Sequence, residues 1–127
     1  MKLIVGGAGN GKLAYVLEST GFSEAEVARD FESAGAMAIF YGVQSAIKAA
    51  LEQGADPNLL MDSVLEQNPG VIVICDEVGS GVVPAVPEER RYREAVGRFC
   101  CRAARVADEV ERVICGIPTV LKGDGQW

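Results

Sequence analysis

Two short apolar runs stand out against the rest of the chain: Leu3-Ile4-Val5 and Val71-Ile72-Val73-Ile74-Cys75. Both are too short for helices. The second is β-branched and apolar on both faces, the pattern of a strand buried inside a parallel sheet covered by helices. The first leads into a glycine-rich turn, and a helical pattern follows from Leu13 to Glu18. Gly21 and Ser23 break that helix, and Ser23-Glu24-Ala25-Glu26 is a capping-box pattern that predicts a short helix over 24–31. Residues 36–53 read either as one long helix or as a strand and a helix. Gly35 and Gly42 bracket the apolar run, and Ile39-Phe40-Tyr41 favours the second reading, a strand over 37–41 and a helix over 44–53. Gly54 and Pro57 end that helix, and Asp56 or Asn58 caps another to about Gln67.

Asn68-Pro69-Gly70 is a turn into the strand over 71–75, which ends in Asp76-Glu77 and a glycine loop over 79–84. Pro87-Glu88-Glu89 opens the longest helix, to about Ala107, with proline and acids suited to its first turn. Tyr92, Val96, Phe99, Ala103 and Val106 recur at helical spacing and predict a core-facing stripe. Arg98, Arg102 and Arg105 lie on another face, which on composition alone is a solvated one. A strand over 111–115 and a short closing strand over 119–121 complete the pattern. The expectation is a doubly wound α/β fold: a mainly parallel sheet of about four to five strands, helices on both faces, one domain over 1–122, and a frayed tail over 123–127.

The 127 residues are enough for one domain with a real core. The net charge of −6 makes a poor partner for nucleic acid, whose non-specific binding rests on phosphate neutralisation. No apolar run approaches membrane-spanning length, so no membrane partner is expected and the cytoplasm is the expected compartment. The chain has no histidine, which removes histidine as nucleophile, base or metal ligand. None of the four cysteines forms a C-x-x-C pair. Cys75 and Cys115 read as small buried hydrophobes, and Cys100-Cys101 falls within a helix.

Against this background one stretch carries chemistry. Gly6-Gly7-Ala8-Gly9-Asn10-Gly11-Lys12 has the spacing of a phosphate-binding loop and sits between a strand and a helix. Such a cradle turns backbone N–H groups inward, in dihedrals that glycine tolerates best. The dipole of the following helix adds attraction for anions, and Lys12 supplies a point charge. The pattern wants Ser or Thr next, to hold Mg²⁺, but the chain has Leu13. The bland alternative is a glycine turn that only joins strand to helix. In doubly wound sheets ligands bind at the carboxyl ends of the strands. There the loop, Tyr41-Gly42 and Asp76-Glu77 converge, and an acidic strand end is where proteins with such loops hold Mg²⁺ or orient a nucleophile. The plain reading of Asp76-Glu77 is a solvated strand end.

Cys75-Asp76-Glu77-Val78-Gly79-Ser80-Gly81-Val82-Val83-Pro84, Tyr92-Arg93-Glu94-Ala95-Val96-Gly97-Arg98, Ala107-Asp108-Glu109-Val110 and Gly116-Ile117-Pro118 together resemble the adenosylcobinamide kinase/adenosylcobinamide-phosphate guanylyltransferase family. The glycine-rich loop is similar as well. The resemblance implies a P-loop NTPase fold and a place in cobalamin synthesis: phosphorylation of the adenosylcobinamide hydroxyl, then GMP transfer through a guanylylated histidine. It implies that Gly6, Gly7, Ala8, Gly9, Asn10, Gly11, Lys12 and Leu13 form the triphosphate loop, with GTP or ATP as the nucleotide. Lys12 and Glu77 would be catalytic, Asp76 and Glu77 would hold Mg²⁺, and Arg93 and Arg98 would bind phosphate or substrate. A homo-oligomer is expected.

The chain departs from the family in four ways. It lacks the histidine, so guanylyl transfer by that route is not available to it. Residues 19–35 are too few to hold the family's strand and helix that carry it. Tyr41 stands where the middle strand usually ends in glutamate, and Leu13 replaces Ser/Thr. A non-catalytic nucleotide- or corrinoid-binding homologue is the alternative expectation.

Overall fold

The structure, a computed structural model, describes residues 1–78 and 86–127; the expected glycine loop over 79–84 lies outside the described residues. Six strands form one sheet in the order β2-β3-β4-β1-β5-β6, from β1 (Lys2–Gly6), β2 (Val27–Ala28), β3 (Ile39–Tyr41), β4 (Ile72–Asp76), β5 (Glu109–Ile114) and β6 (Ile117–Lys122). All neighbours are parallel except β6, which returns antiparallel on β5. The helices are α1 (Lys12–Thr20), α2 (Phe31–Ala34), α3 (Val43–Glu52), α4 (Pro57–Gln67) and α5 (Pro87–Val106).

The mainly parallel doubly wound sheet is as expected, with one more strand than the four to five predicted. The period-2 alternation of the strands divides the core into two layers. Leu3, Phe40, Val73, Cys75 and Val110 point to one face, where α2 to α5 bring Ala34, Ile47, Met61, Val64, Val96 and Phe99. Ile4, Ile39, Ile72, Ile74 and Val113 point to the other, covered by Val16 and its neighbours on α1. β4 is buried on both faces because it runs between β1 and β3 with helices above and below.

Residues 24–31 do not form the predicted helix. The capping box closes, with the Ser23 N–H donating to Glu26 Oε2 at 2.7 Å, but only one 3₁₀ turn follows, Glu24–Glu26. Val27 and Ala28 instead pair with Ile39 and Phe40, because the edge of β3 offers ladder bonds that a helix would forgo. Asp30 then caps α2 through the Ser33 N–H at 2.7 Å, which brings the Phe31 ring 5.1 Å from Phe40 and 6.3 Å from Phe99. Residues 19–35 therefore hold a two-residue strand and a four-residue helix, where a single short helix over 24–31 was expected.

The apolar stripe of α5 ends at Ala103: Val106 is exposed, because the last turn runs past the core. Cys115 is exposed rather than buried and takes φ 52° in the β5–β6 turn. The tail expected to fray is held. Gln126 O accepts from Lys2 Nζ at 3.3 Å, the Trp127 indole N–H donates to the Tyr15 hydroxyl at 3.0 Å, and Lys2 Nζ lies 3.5 Å over the Trp127 ring. These contacts cover a polar cluster under α1 that hydropathy could not reveal. Buried Glu111 accepts from the Tyr15 hydroxyl, and Lys2 Nζ lies 2.6 Å from Glu111 and 2.8 Å from Glu109.

Candidate functional site

The loop between β1 and α1 is built on close approach. Gly6 (φ 155°) lies so near β5 that a Cβ would stand 2.4 Å from the Val113 carbonyl oxygen. Only glycine fits. The far side of the loop is tied to the β5–β6 turn: Asn10 Oδ1 accepts from the Cys115 N–H at 3.1 Å, and the Asn10 carbonyl accepts from the Gly116 N–H at 2.8 Å. Ala8 and Gly9 are exposed at its tip. Gly11 (φ 80°) turns the chain into α1, whose first residue is Lys12.

Lys12 is buried, and its ammonium donates to the Gly7 carbonyl and to Asp76 Oδ1, each at 2.7 Å. Parallel pairing makes this meeting possible. β1 and β4 are neighbours in register Gly6↔Asp76, so the loop after one and the acid ending the other leave the sheet side by side. Asp76 is held again from α3: Gln44 Nε2 donates to Asp76 Oδ2 at 3.1 Å, and the Asp76 N–H donates to Gln44 Oε1 at 3.0 Å. The next residue points elsewhere. The Glu77 N–H donates to the Gly6 carbonyl at 2.8 Å, and the Glu77 carboxylate makes a two-point pair with Arg112, at 2.9 and 3.0 Å. Leu13 is half-buried against the α1-side core and offers no oxygen.

Arg98 is exposed on the far side of α5. It lines a groove of about 720 Å³ between α3 and α5 with Lys48, Leu51 and Tyr92, away from the glycine-rich loop. Arg93 is half-buried on the same helix. Tyr41 is half-buried, with the Arg29 guanidinium 5.0 Å from its ring centroid. On the other side of α5 an apolar groove of about 320 Å³ is lined by Val5, Asp76, Glu77, Cys100 and Leu121. Cys75 lies beneath it with its sulfur 3.6 Å from that of Cys100. The contact with Cys100 and burial push the Cys75 thiol far up, so it stays protonated. Burial, then the negative charges of Glu89 and Asp76, raises the Tyr92 hydroxyl.

The structure thus brings together Gly6, Gly7, Lys12 and Asp76, sets Glu77 one step away on Arg112, and separates Arg98 from them. Three contributors escaped the sequence reading: Gln44, Arg112 and the Cys115–Gly116 turn. Only register could have found Arg112, which pairs with Val5, one residue before the loop.

Comparison with known proteins gives the chain its relatives. The family model for cobinamide kinase / cobinamide phosphate guanyltransferase matches residues 32–121, well over half of the chain. The chain belongs to this family. Over 76 residues it is 34% identical to the bifunctional adenosylcobalamin biosynthesis protein CobU of Salmonella typhimurium, a match that covers 58% of this chain and 42% of that protein. The chain therefore spans less than half the length of that relative. The stretch matched to the family includes Gln44, Asp76, Glu77, Arg93, Arg98 and Arg112, and begins after the glycine-rich loop. Among the described residues no helix is long and apolar enough to cross a membrane.

Proposed function

We propose that the chain binds a nucleoside triphosphate, GTP or ATP, on the glycine-rich loop and transfers its terminal phosphoryl group to the hydroxyl of adenosylcobinamide. The observation that carries this reading is the Lys12–Asp76 pair at the adjoining carboxyl ends of β1 and β4, in a chain of the cobinamide kinase family. A buried ammonium held by one carbonyl and one carboxylate is a cation that a phosphate, with more negative oxygen to offer, can recruit. The N–H groups of the loop and the start of α1 would hold the phosphates, and Lys12 would bridge to the terminal ones.

Asp76 and Glu77 offer hard carboxylate oxygens, which fit Mg²⁺ with the remaining positions left to phosphate and water. Among the described residues no cluster of three such ligands exists. Bound there, Mg²⁺ would neutralise charge on the transferring group. The acceptor oxygen attacks the γ-phosphorus as its bond to the β-phosphate oxygen breaks. The diphosphate leaves, and the hydroxyl proton passes to Glu77, once Arg112 yields, or to water. Arg93 would contact the substrate from α5, whereas Arg98 faces the separate groove between α3 and α5. No histidine is present to carry GMP, so guanylyl transfer by that route lies outside this chain.

Leu13 and Tyr41 favour a second reading, a non-catalytic binder of nucleotide or corrinoid, because Leu13 has no side-chain oxygen for Mg²⁺ and Tyr41 stands where the family usually has a carboxylate. Incubation with GTP or ATP, Mg²⁺ and adenosylcobinamide, followed by mass spectrometry of the corrinoid, separates the two. A gain of one phosphoryl group supports the kinase. Unchanged corrinoid alongside measurable nucleotide binding supports the binder. The reading includes self-association, because β6 leaves Ile117, Val120 and Leu121 exposed at a sheet edge. Light scattering that finds only monomer at high concentration would contradict it.

A further inference from the structure

We infer that Gln44 is a positioning residue that keeps the Asp76 carboxylate in place when a phosphate draws Lys12 away. The inference rests on the nucleotide reading above and extends it to a residue nothing else singles out. Gly42 (φ 70°) turns the chain from β3 into α3, which sets Gln44 in the first turn, over the end of β4. Its amide is used at both atoms, and the geometry leaves no freedom in which is which. The Asp76 N–H can only donate, so it meets Oε1 (3.0 Å), and Nε2 is thereby aimed at Asp76 Oδ2 (3.1 Å).

One side chain therefore fixes both the backbone position of Asp76 and the rotation of its carboxylate. That rotation turns Oδ1 to Lys12, at 2.7 Å. If phosphate recruits Lys12, a carboxylate held only by the lysine would be free to follow it. One clasped by Gln44 stays, and its released Oδ1 would be available to hold a divalent cation that arrives with the phosphates. The task needs a donor and an acceptor at this reach. Asparagine is one methylene shorter, glutamate cannot donate and sets a second negative charge against Asp76, and alanine does neither.

The test is calorimetric titration of the full chain with GTP and with ATP, with and without Mg²⁺, for the parent, Gln44→Ala and Gln44→Glu. The readout is the gain in affinity that Mg²⁺ brings. Loss of a residue that orients a metal-binding carboxylate costs about 10–100-fold in metal affinity. Both variants should lose at least about tenfold of the gain, while their Mg²⁺-free affinities stay within about threefold of the parent. A merely structural tie between α3 and β4 would lower the melting temperature and leave the gain intact. Gln44→Glu keeps the length and the acceptor, and so decides the matter if Gln44→Ala fails to fold. Variants with the parent's gain overturn the inference alone, as does a parent that binds nucleotide but gains nothing from Mg²⁺. A parent that binds no nucleotide overturns the inference and the reading beneath it together.

Discussion

Gly6→Ala tests the architecture of the loop without reference to any ligand. The new methyl would stand 2.4 Å from the Val113 carbonyl oxygen and 3.4 Å from its carbon. Both atoms belong to β5, which is locked to β1 by a parallel ladder from Lys2↔Glu109 to Val5↔Arg112, so the neighbour cannot yield as a flexible side chain would. Overpacking of this kind costs about 1–3 kcal/mol. The backbone at φ 155° adds strain of about 1–2 kcal/mol for a residue with a Cβ. Gly9→Ala is the control, since φ 74° imposes a comparable strain while nothing lies within 4 Å of the added methyl. With a urea dependence of about 1–3 kcal/mol per M, the Gly6→Ala midpoint should fall by about 1–2 M. It should lie roughly 0.5–1 M below that of Gly9→Ala. Chemical denaturation followed by circular dichroism reads both. Equal midpoints for the two variants would refute the close approach of the loop to β5.

Further expectations concern the core, the polar cluster and the thiols. Phe99→Ala removes a buried ring packed on Phe31 and should cost about 3–5 kcal/mol in the same denaturation experiment. At Lys2, burial lowers the proton affinity but the bonds to Glu109 and Glu111 outweigh it, and the net shift is upward. Tyr15 is raised by burial and by its bond to Glu111. Both groups hold their protons more tightly when folded, so their contribution is fully present below the unfolded values near pH ~10 and is lost as pH rises through the folded ones. The melting temperature should fall above about pH 10, and Glu111→Gln should flatten that fall. Mass spectrometry of timed iodoacetamide labelling should find exposed Cys101 and Cys115 modified first and Cys75, buried and held protonated, last.

Much of the fold was legible because its strongest signals are local. Val71–Cys75 could only be a doubly buried strand, and the proline and acids before Arg90 opened α5 where predicted. The strand–loop–helix at the start of the chain was equally plain. Residues 24–31 misled because a satisfied capping box does not say how far its helix runs; the ladder partner offered by β3 decided that. The Lys2–Glu111–Tyr15 cluster was hidden because Lys2 and Glu111 read as solvated charges until register set them together beneath Trp127. At the candidate site, the juxtaposition of Lys12 with Asp76 follows from an acid that ends the strand beside β1. The hold of Gln44 on Asp76 and that of Arg112 on Glu77 depend on strand order and helix placement, which no spacing in the chain encodes.

The central claim is that Lys12 and its loop bind a nucleoside triphosphate. Calorimetric titration of the parent and of Lys12→Ala with GTP and ATP tests it most directly. The account predicts measurable binding of at least one nucleotide by the parent. It predicts a loss of about 10–100-fold in Lys12→Ala, the worth of charged hydrogen bonds of about 1.5–3 kcal/mol. Equal affinity in the two proteins, or no binding by the parent, would contradict it.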